Sequence, residues 1–234
     1  MFAIFKREFK GYFYSPMAYV LIGLYMLMSS FFFLGNLYDG NADFNGNLST
    51  MGFLLLFIIP ILTMRILAED RKSGTEVLLI TSPANITSIV VGKYLAALCV
   101  FLVMTAITFV YPIIIAIFGD PAYAQLIGGY VGYILLGASF IAVGVLASSL
   151  TESQVIAAVI GFVSMLTMWI MDYLASFVGG ILAIVLNWLS LFSRYYDFNI
   201  GILNLAPVVY YISFISVFLF ITIRVIERRR WSQG

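Results

Sequence analysis

The chain reads as an all-α integral membrane protein with six transmembrane helices, and three observations lead there. Of its 234 residues 63% are hydrophobic and only 10% charged, against about 25% charged in a soluble domain. Mean hydropathy is +1.07, so the chain cannot cover itself with a solvated surface. The apolar residues also fall into runs of the roughly 20 that a spanning helix needs, at about 16–35, 51–68, 92–118, 126–148, 154–172 and 207–226. The whole of 1–234 is expected to form one membrane domain.

The first element precedes the spans. In "MFAIFKREFKGYFYSP", Phe2, Phe5, Phe9 and Phe13 recur at steps of three and four, which places them on one helical face. Lys6, Arg7 and Lys10 lie off that stripe. A basic amphipathic helix over 1–15, lying in the plane of the cytoplasmic interface, is predicted. A cleaved signal peptide fits less well, because the apolar run that follows is too long and no A-x-A site follows it.

Orientation follows from the retention of Lys and Arg on the cytoplasmic side. Lys6, Arg7 and Lys10 precede the first span. Arg65, Arg71, Lys72 and Lys93 lie between the second and third. Arg224, Arg228, Arg229 and Arg230 follow the sixth. With six spans, eleven of the twelve basic residues share one side, and both termini are cytoplasmic. The opposite loops, 36–50 and 119–125, hold Asp39, Asp43 and Asp120 and no base. A seventh span through "SFVGGILAIVLNWLSLF" (176–192) would carry "ERRR" (227–230) outside. Residues 173–206 are therefore expected as short outer re-entrant helices, broken at Gly179-Gly180 and at Pro207, with Trp188, Tyr195 and Tyr196 at headgroup level.

The spans place no Asp, Glu, Lys or Arg near their middles; Arg65, Glu152 and Asp172 fall at predicted ends. Ion-coupled carriers usually bury ionisable groups or broken helices at mid-membrane. The fourth segment, "GGYVGYILLGASFIAVGVLASSL", carries Gly128-x-x-x-Gly132 and Gly144-x-x-x-Ser148. Such pairs let helices approach closely, either in ordinary packing within the subunit or at a subunit interface or moving seam.

Several chemistries are excluded. There is no histidine, so no His-containing triad, HExxH zinc site or imidazole ligation. Cys99 is the sole cysteine, set in an apolar run as a packing residue. No phosphate loop occurs: Gly92-Lys93 is followed by Tyr94, and Thr87 stands where the first glycine belongs. The chain carries no catalytic or metal site and does not hydrolyse nucleotides by itself.

The informative stretch is "LAEDRKSGTEVLLITSP" (67–83). Glu69, Asp70, Arg71 and Lys72 carry the second span out of the bilayer, and Gly74 permits a sharp change of direction. Thr75 is placed to cap a new turn with Glu76 near its positive end, and Thr81-Ser82-Pro83 stops it. The result is a helix, a break and a short transverse helix held on two stiff spans. A solvated loop whose charges merely keep it outside the bilayer is the plainer alternative.

These residues also carry a resemblance. "AEDRKSGTEVLLITSPANITSIVVGKYLAA" (68–97) closely resembles the ABC-2 type of transporter permease, whose pattern runs acidic, basic, Gly-Thr, Leu-Leu, Pro and then Gly-Lys before the third span. "IFKREFKGYFYSPMAYVLIGL" (4–24), "ILTMRILAED" (61–70), "ASSLTESQ" (147–154) and "YYDFNIGILNLAPVVYYISF" (195–214) are similar to the branch that includes gliding-motility-associated and nitrous-oxide-reductase-maturation permeases. The resemblance implies that 69–83 is a cytoplasmic coupling helix between helices 2 and 3, docked in a groove of a separate ATPase subunit. Glu69, Asp70, Arg71, Lys72 and Glu76 would make polar contacts, Gly74 and Thr75 set the bend, Leu78 and Leu79 fill the groove, and Pro83 closes the element. Thr151 and Glu152 offer a second cytoplasmic contact, and the interfacial helix with Phe5, Lys6, Arg7, Phe9 and Lys10 lies beside the first.

The same resemblance implies two ATPase subunits that bind ATP and Mg, and a second permease copy or paralogue. The setting is a bacterial-type inner membrane, with lipids and no nucleic acid as further partners. The long 36–50 loop suits an extracytoplasmic accessory subunit. The competing reading is an integral-membrane lipid-modifying enzyme or an assembly scaffold, for which Asp172, Arg194 and Asp197 are the only nearby polar set.

Overall fold

The computed structural model describes residues 1–38, 44–76, 85–118, 122–202 and 204–232. Among them it is all helical, with six helices long and apolar enough to cross a membrane. In chain order these are α1 (Phe2–Tyr14), α2 (Pro16–Tyr38), α3 (Phe44–Thr63), α4 (Ala68–Lys72), α5 (Ile86–Ile107), α6 (Val110–Phe118), α7 (Tyr123–Leu150), α8 (Gln154–Phe177), α9 (Ile181–Leu189), α10 (Leu191–Asn199) and α11 (Leu205–Ser232). The spans are α2, α3 with α4, α5 with α6, α7, α8 and α11.

Helix α7 is the hub, and its small residues explain why. It packs against α3, α5, α8, α10 and α11 and is largely buried, whereas α8 and α11 leave most of their apolar surface to lipid. Glycines make those approaches possible. A Cβ on Gly137 would come within 2.3 Å of the Phe101 ring, and one on Gly144 within 2.2 Å of Thr63 Oγ1. One on Gly132 would reach 2.6 Å from Phe198 Cβ, and on Gly128 2.6 Å from the Phe198 carbonyl oxygen. The small-residue stripe is used for packing within the subunit. Between the spans the polar contacts are uncharged: Tyr25 to Tyr133 at 3.0 Å, Ser30 to Tyr111 at 2.8 Å and Thr108 to Tyr130 at 3.2 Å.

The structure redraws several predicted boundaries. Most of the expected 36–50 loop is helix, because α2 extends to Tyr38 and α3 begins at Phe44. The asparagines that made 44–50 look like a loop are buried. Asn45 Nδ2 donates to the Gln125 carbonyl at 2.9 Å and the Asn199 carbonyl at 2.7 Å, tying three elements at this end. Asp39, Asp43 and Asp120 lie outside the described residues. The third span starts at Ile86 rather than 92 and breaks at Thr108-Phe109. Pro112, four residues beyond Thr108, has no N–H for the Thr108 carbonyl, which instead accepts from Tyr111.

Within 173–206 the bend at Gly180 (φ +77°) opens the nine-residue α9, and α10 follows after Ser190. At about 1.5 Å per residue each is roughly 14 Å long, too short to span. Pro207 does not break this region. It sits in the first turn of α11, where a missing N–H costs nothing, and the turn falls instead at Gly201 (φ +85°).

Helix α1 forms as predicted, with its phenylalanines in a row: ring centroids are 5.9 Å apart for Phe5–Phe9 and 5.0 Å for Phe9–Phe13. They are only the flank of the helix, half-buried against the bundle. The inward face is Ile4, Glu8 and Tyr12; Ile4 packs on Gly92 of α5. Charge settles that rotation as much as oil, because Glu8 and Tyr12 both have partners in the bundle.

Candidate functional site

The end of the bundle that carries the basic residues is organised around the exit of α3. A helix leaves its last carbonyls without backbone partners. Here three of them are met by side chains from three other elements. Tyr12 of α1 donates to the Leu62 carbonyl at 3.0 Å. Ser148 of α7 donates to that of Met64 at 3.0 Å, and its oxygen accepts from the Leu67 and Ala68 N–H groups. Lys93 of α5 donates to that of Ile66 at 2.7 Å. Burial pushes the Tyr12 hydroxyl well above its ordinary pKa, so it remains a donor.

Lys93 is the most deeply buried charge among the described residues. Its side chain is 2% exposed, and its Nζ also lies 2.7 Å from Asp70 Oδ2 and 3.1 Å from Glu8 Oε1. A buried ammonium is tolerable only when its three protons are met and opposite charge is at hand. This one has both, from α1, α4 and the α3 exit. The same Glu8 oxygen lies 2.8 Å from Arg7, which holds the Arg7 guanidinium above its ordinary value. A cleft of about 380 Å³ opens over this cluster, between α1 and the α4 turn, with Arg65, Glu69 and Thr75 on its walls.

A second cluster joins the α4 turn to the other side of the bundle. Arg71 reaches Glu152, in the turn between α7 and α8, at 2.9 Å and Glu76 at 4.0 Å. Arg229 of α11 reaches Glu76 at 3.4 Å and donates to the Ser149 carbonyl. A third pair, Arg65–Glu69 at 3.3 Å, is half exposed and spaced one helical turn apart.

The predicted interface residues that the structure describes can now be placed. Asp70, Arg71 and Glu76 are engaged within the chain, Glu69 is exposed beside Arg65, and Lys72 is exposed with no ion-pair partner among the described residues. Gly74 makes the bend at φ +72°, in open space. The Thr75 hydroxyl sits 3.1 Å from Asp70 Oδ1 and 2.9 Å from the Ser73 hydroxyl, while the N–H groups that it is expected to cap lie outside the described residues. Leu78, Leu79 and Pro83 lie outside the described residues. Thr151 accepts from the Ser153 N–H at 3.1 Å, shaping the turn that presents Glu152. On α1, Lys6 and Lys10 are exposed and Phe5 and Phe9 face the bundle's flank.

Sequence reasoning passed over Glu8, Ser148 and Arg229 as functional parts. Glu8 was findable: it is the only acid in a basic helix and falls on the Ile4–Tyr12 face. Ser148 and Arg229 gave no local signal, since their partners are 80 to 153 residues away. At the opposite end the Asp172, Arg194 and Asp197 set does not assemble. The Arg194 guanidinium stacks 3.9 Å over Tyr210 and 5.3 Å from Trp188, and forms no ion pair with either acid among the described residues. Nor do any three His, Cys, Asp or Glu side chains among the described residues gather as metal ligands.

The described residues thus form a helical bundle with six helices long and apolar enough to cross a membrane and an ion-paired turn at one end. The family described as ABC-2 family transporter protein matches residues 35–171, more than half the chain, and the protein belongs to that family. The match takes in the α4 turn and the α7 hub and leaves α1 and α9–α11 outside it. Membership makes this a membrane subunit of transport, not itself catalytic, and implies partnership with an ABC ATPase subunit. No curated protein matches the chain.

Proposed function

We infer that the chain is the permease half of an ATP-driven complex and that the 69–83 region receives the motion of a separate ATPase. Two ATPase subunits would bind ATP and Mg and work on two permease copies, or on this chain and a paralogue, in a bacterial-type inner membrane. Both termini would face the cytoplasm, in keeping with the positive-inside rule. Glu69, Lys72, Gly74 and Thr75 would meet the ATPase together with Leu78, Leu79 and Pro83. Asp70, Arg71, Glu76 and Glu152 would hold the receiving element in place. The motif likeness to gliding-motility and nitrous-oxide-reductase-maturation permeases suggests export or mechanical work as the output, with the 36–50 region as the candidate contact for an extracytoplasmic accessory subunit.

One observation carries this reading. The α4 turn is fastened to α5, the α7–α8 turn and α11 by ion pairs, and through Lys93 of α5 to Glu8 of α1. A push on it therefore reaches the whole bundle as a rigid-body shift, a recognised mode of transmission. A loop that only enforced orientation would need no such fastening. The test is co-purification of the protein with the products of its neighbouring genes, among which an ABC ATPase is expected. Wild-type permease should retain the ATPase, and Glu69→Arg or Gly74→Trp should lose it while eluting as a folded membrane protein. Retention by both variants would end the assignment of 69–83 as the docking element.

A further inference from the structure

The end of the bundle opposite the ion-paired turn holds a single base, and three elements build its setting. Arg194 is the only Lys or Arg between Lys93 and Arg224. It lies in α10, just after the Ser190 cap, whose hydroxyl accepts from the Ser193 N–H at 3.2 Å. Its guanidinium carbon is 3.9 Å from the centre of the Tyr210 ring of α11 and 5.3 Å from that of Trp188 in α9. The two rings stand at 85° with centroids 6.4 Å apart, so they form a corner around the cation. Aromatic faces attract a guanidinium, but its N–H donors lie in its own plane and need acceptors of another kind. Neither Asp172 nor Asp197 pairs with it among the described residues, and its Nε is buried without a hydrogen-bond partner. The cation is held in place but not neutralised.

The surroundings say which anion fits. Helices α9 and α10 are too short to span, and α9 exposes Ile181, Leu182, Ile184 and Trp188. A segment facing water would not present that surface; one lying at the boundary of headgroups and acyl chains would. The occupant therefore needs an anion with long apolar chains beside it. We propose that the corner of Arg194, Trp188 and Tyr210 binds the phosphate of a phospholipid in the leaflet at this end, with the acyl chains along the exposed face of α9. The rings fix the guanidinium, and its planar fork takes two phosphate oxygens, a geometry that a lysine cannot reproduce. The site is independent of the docking role of the α4 turn.

The experiment needs a local readout, because exposed Lys6, Lys10 and Lys72 at the other end also attract anionic lipid. Trp188 supplies one. Protein in a nonionic detergent is titrated with phosphatidylglycerol carrying brominated acyl chains, which quench a nearby tryptophan, and with diacylglycerol carrying the same chains. Each protein is compared with its Trp188→Phe counterpart, so that only the Trp188 signal counts. Half-saturation should come at a concentration about fivefold or more lower for phosphatidylglycerol than for diacylglycerol. Arg194→Gln, eluting as a folded protein, should erase that preference, and Arg194→Lys should keep part of it. Asp197→Asn removes a nearby negative charge and should bind at least as well as wild type. Equal quenching of the wild-type protein by the two lipids would overturn the proposal without recourse to any variant. So would a preference that survives in Arg194→Gln. Displacement of phosphatidylglycerol by inorganic phosphate would make the ligand a soluble anion and overturn the lipid assignment.

Discussion

At the scale of single residues, Lys93 is where burial and charge are most closely balanced. An ammonium this buried is costly to desolvate, and two carboxylates plus the Ile66 carbonyl offset that cost. Replacing it by Met removes the cation but leaves Glu8 and Asp70 facing each other. Lys93→Met should destabilise the folded protein by about 3–5 kcal/mol, seen as a lower unfolding midpoint in detergent. Adding Glu8→Gln and Asp70→Asn removes the stranded charges and should recover most of that loss, since well-packed neutral replacements of buried ion groups are often tolerated. A single variant as stable as wild type would mean that Lys93 is not the bolt between α1 and α4.

At the scale of elements, the exit of α3 turns on one hydroxyl. Ser148 Oγ serves the Leu67 and Ala68 amides and the Met64 carbonyl together. Ser148→Ala should therefore cost about 1–3 kcal/mol for unsatisfied buried groups. Amide exchange should accelerate at Leu67 and Ala68 ahead of the rest of α3, whereas uniform protection along α3 would deny Ser148 that role. Elements of this kind were only partly legible in the sequence. Length and hydropathy sufficed for six spans, and Phe spacing sufficed for α1, because both signals are local. The Gly74 bend was also readable, as the turn needs the positive φ that glycine allows. Residues 44–50 were misjudged because Asn45 and Asn47 are polar by type yet buried by packing against elements far along the chain. Pro207 was misjudged because proline signals a boundary without saying on which side of it the helix lies. The ion-pair clusters were the least legible. Their members join α1, α4, α5, the α7–α8 turn and α11, and no periodicity records a pairing as distant as Glu8–Lys93, Arg71–Glu152 or, across 153 residues, Glu76–Arg229.

At the scale of the whole molecule, the two ends of the bundle are chemically unlike. One end holds the ion-paired clusters and a cationic remainder; the other is tied by Asn45 and by Arg194 stacked on aromatic rings. That asymmetry is what retention of positive charge in the cytoplasm would produce, and it leads to a topology experiment. With Cys99→Ala as background, a cysteine placed at Lys10 or Lys72 should react with a membrane-impermeant maleimide only after the membrane is opened. A cysteine at Tyr123, exposed at the start of α7, should react in intact cells. The first two sites are suitable because neither lysine has an ion-pair partner among the described residues, and removal of either leaves the clusters whole. Labelling of the Lys72 site from outside intact cells would place the α4 turn beyond the reach of any cytoplasmic ATPase, and the mechanism built on that turn would have to be abandoned.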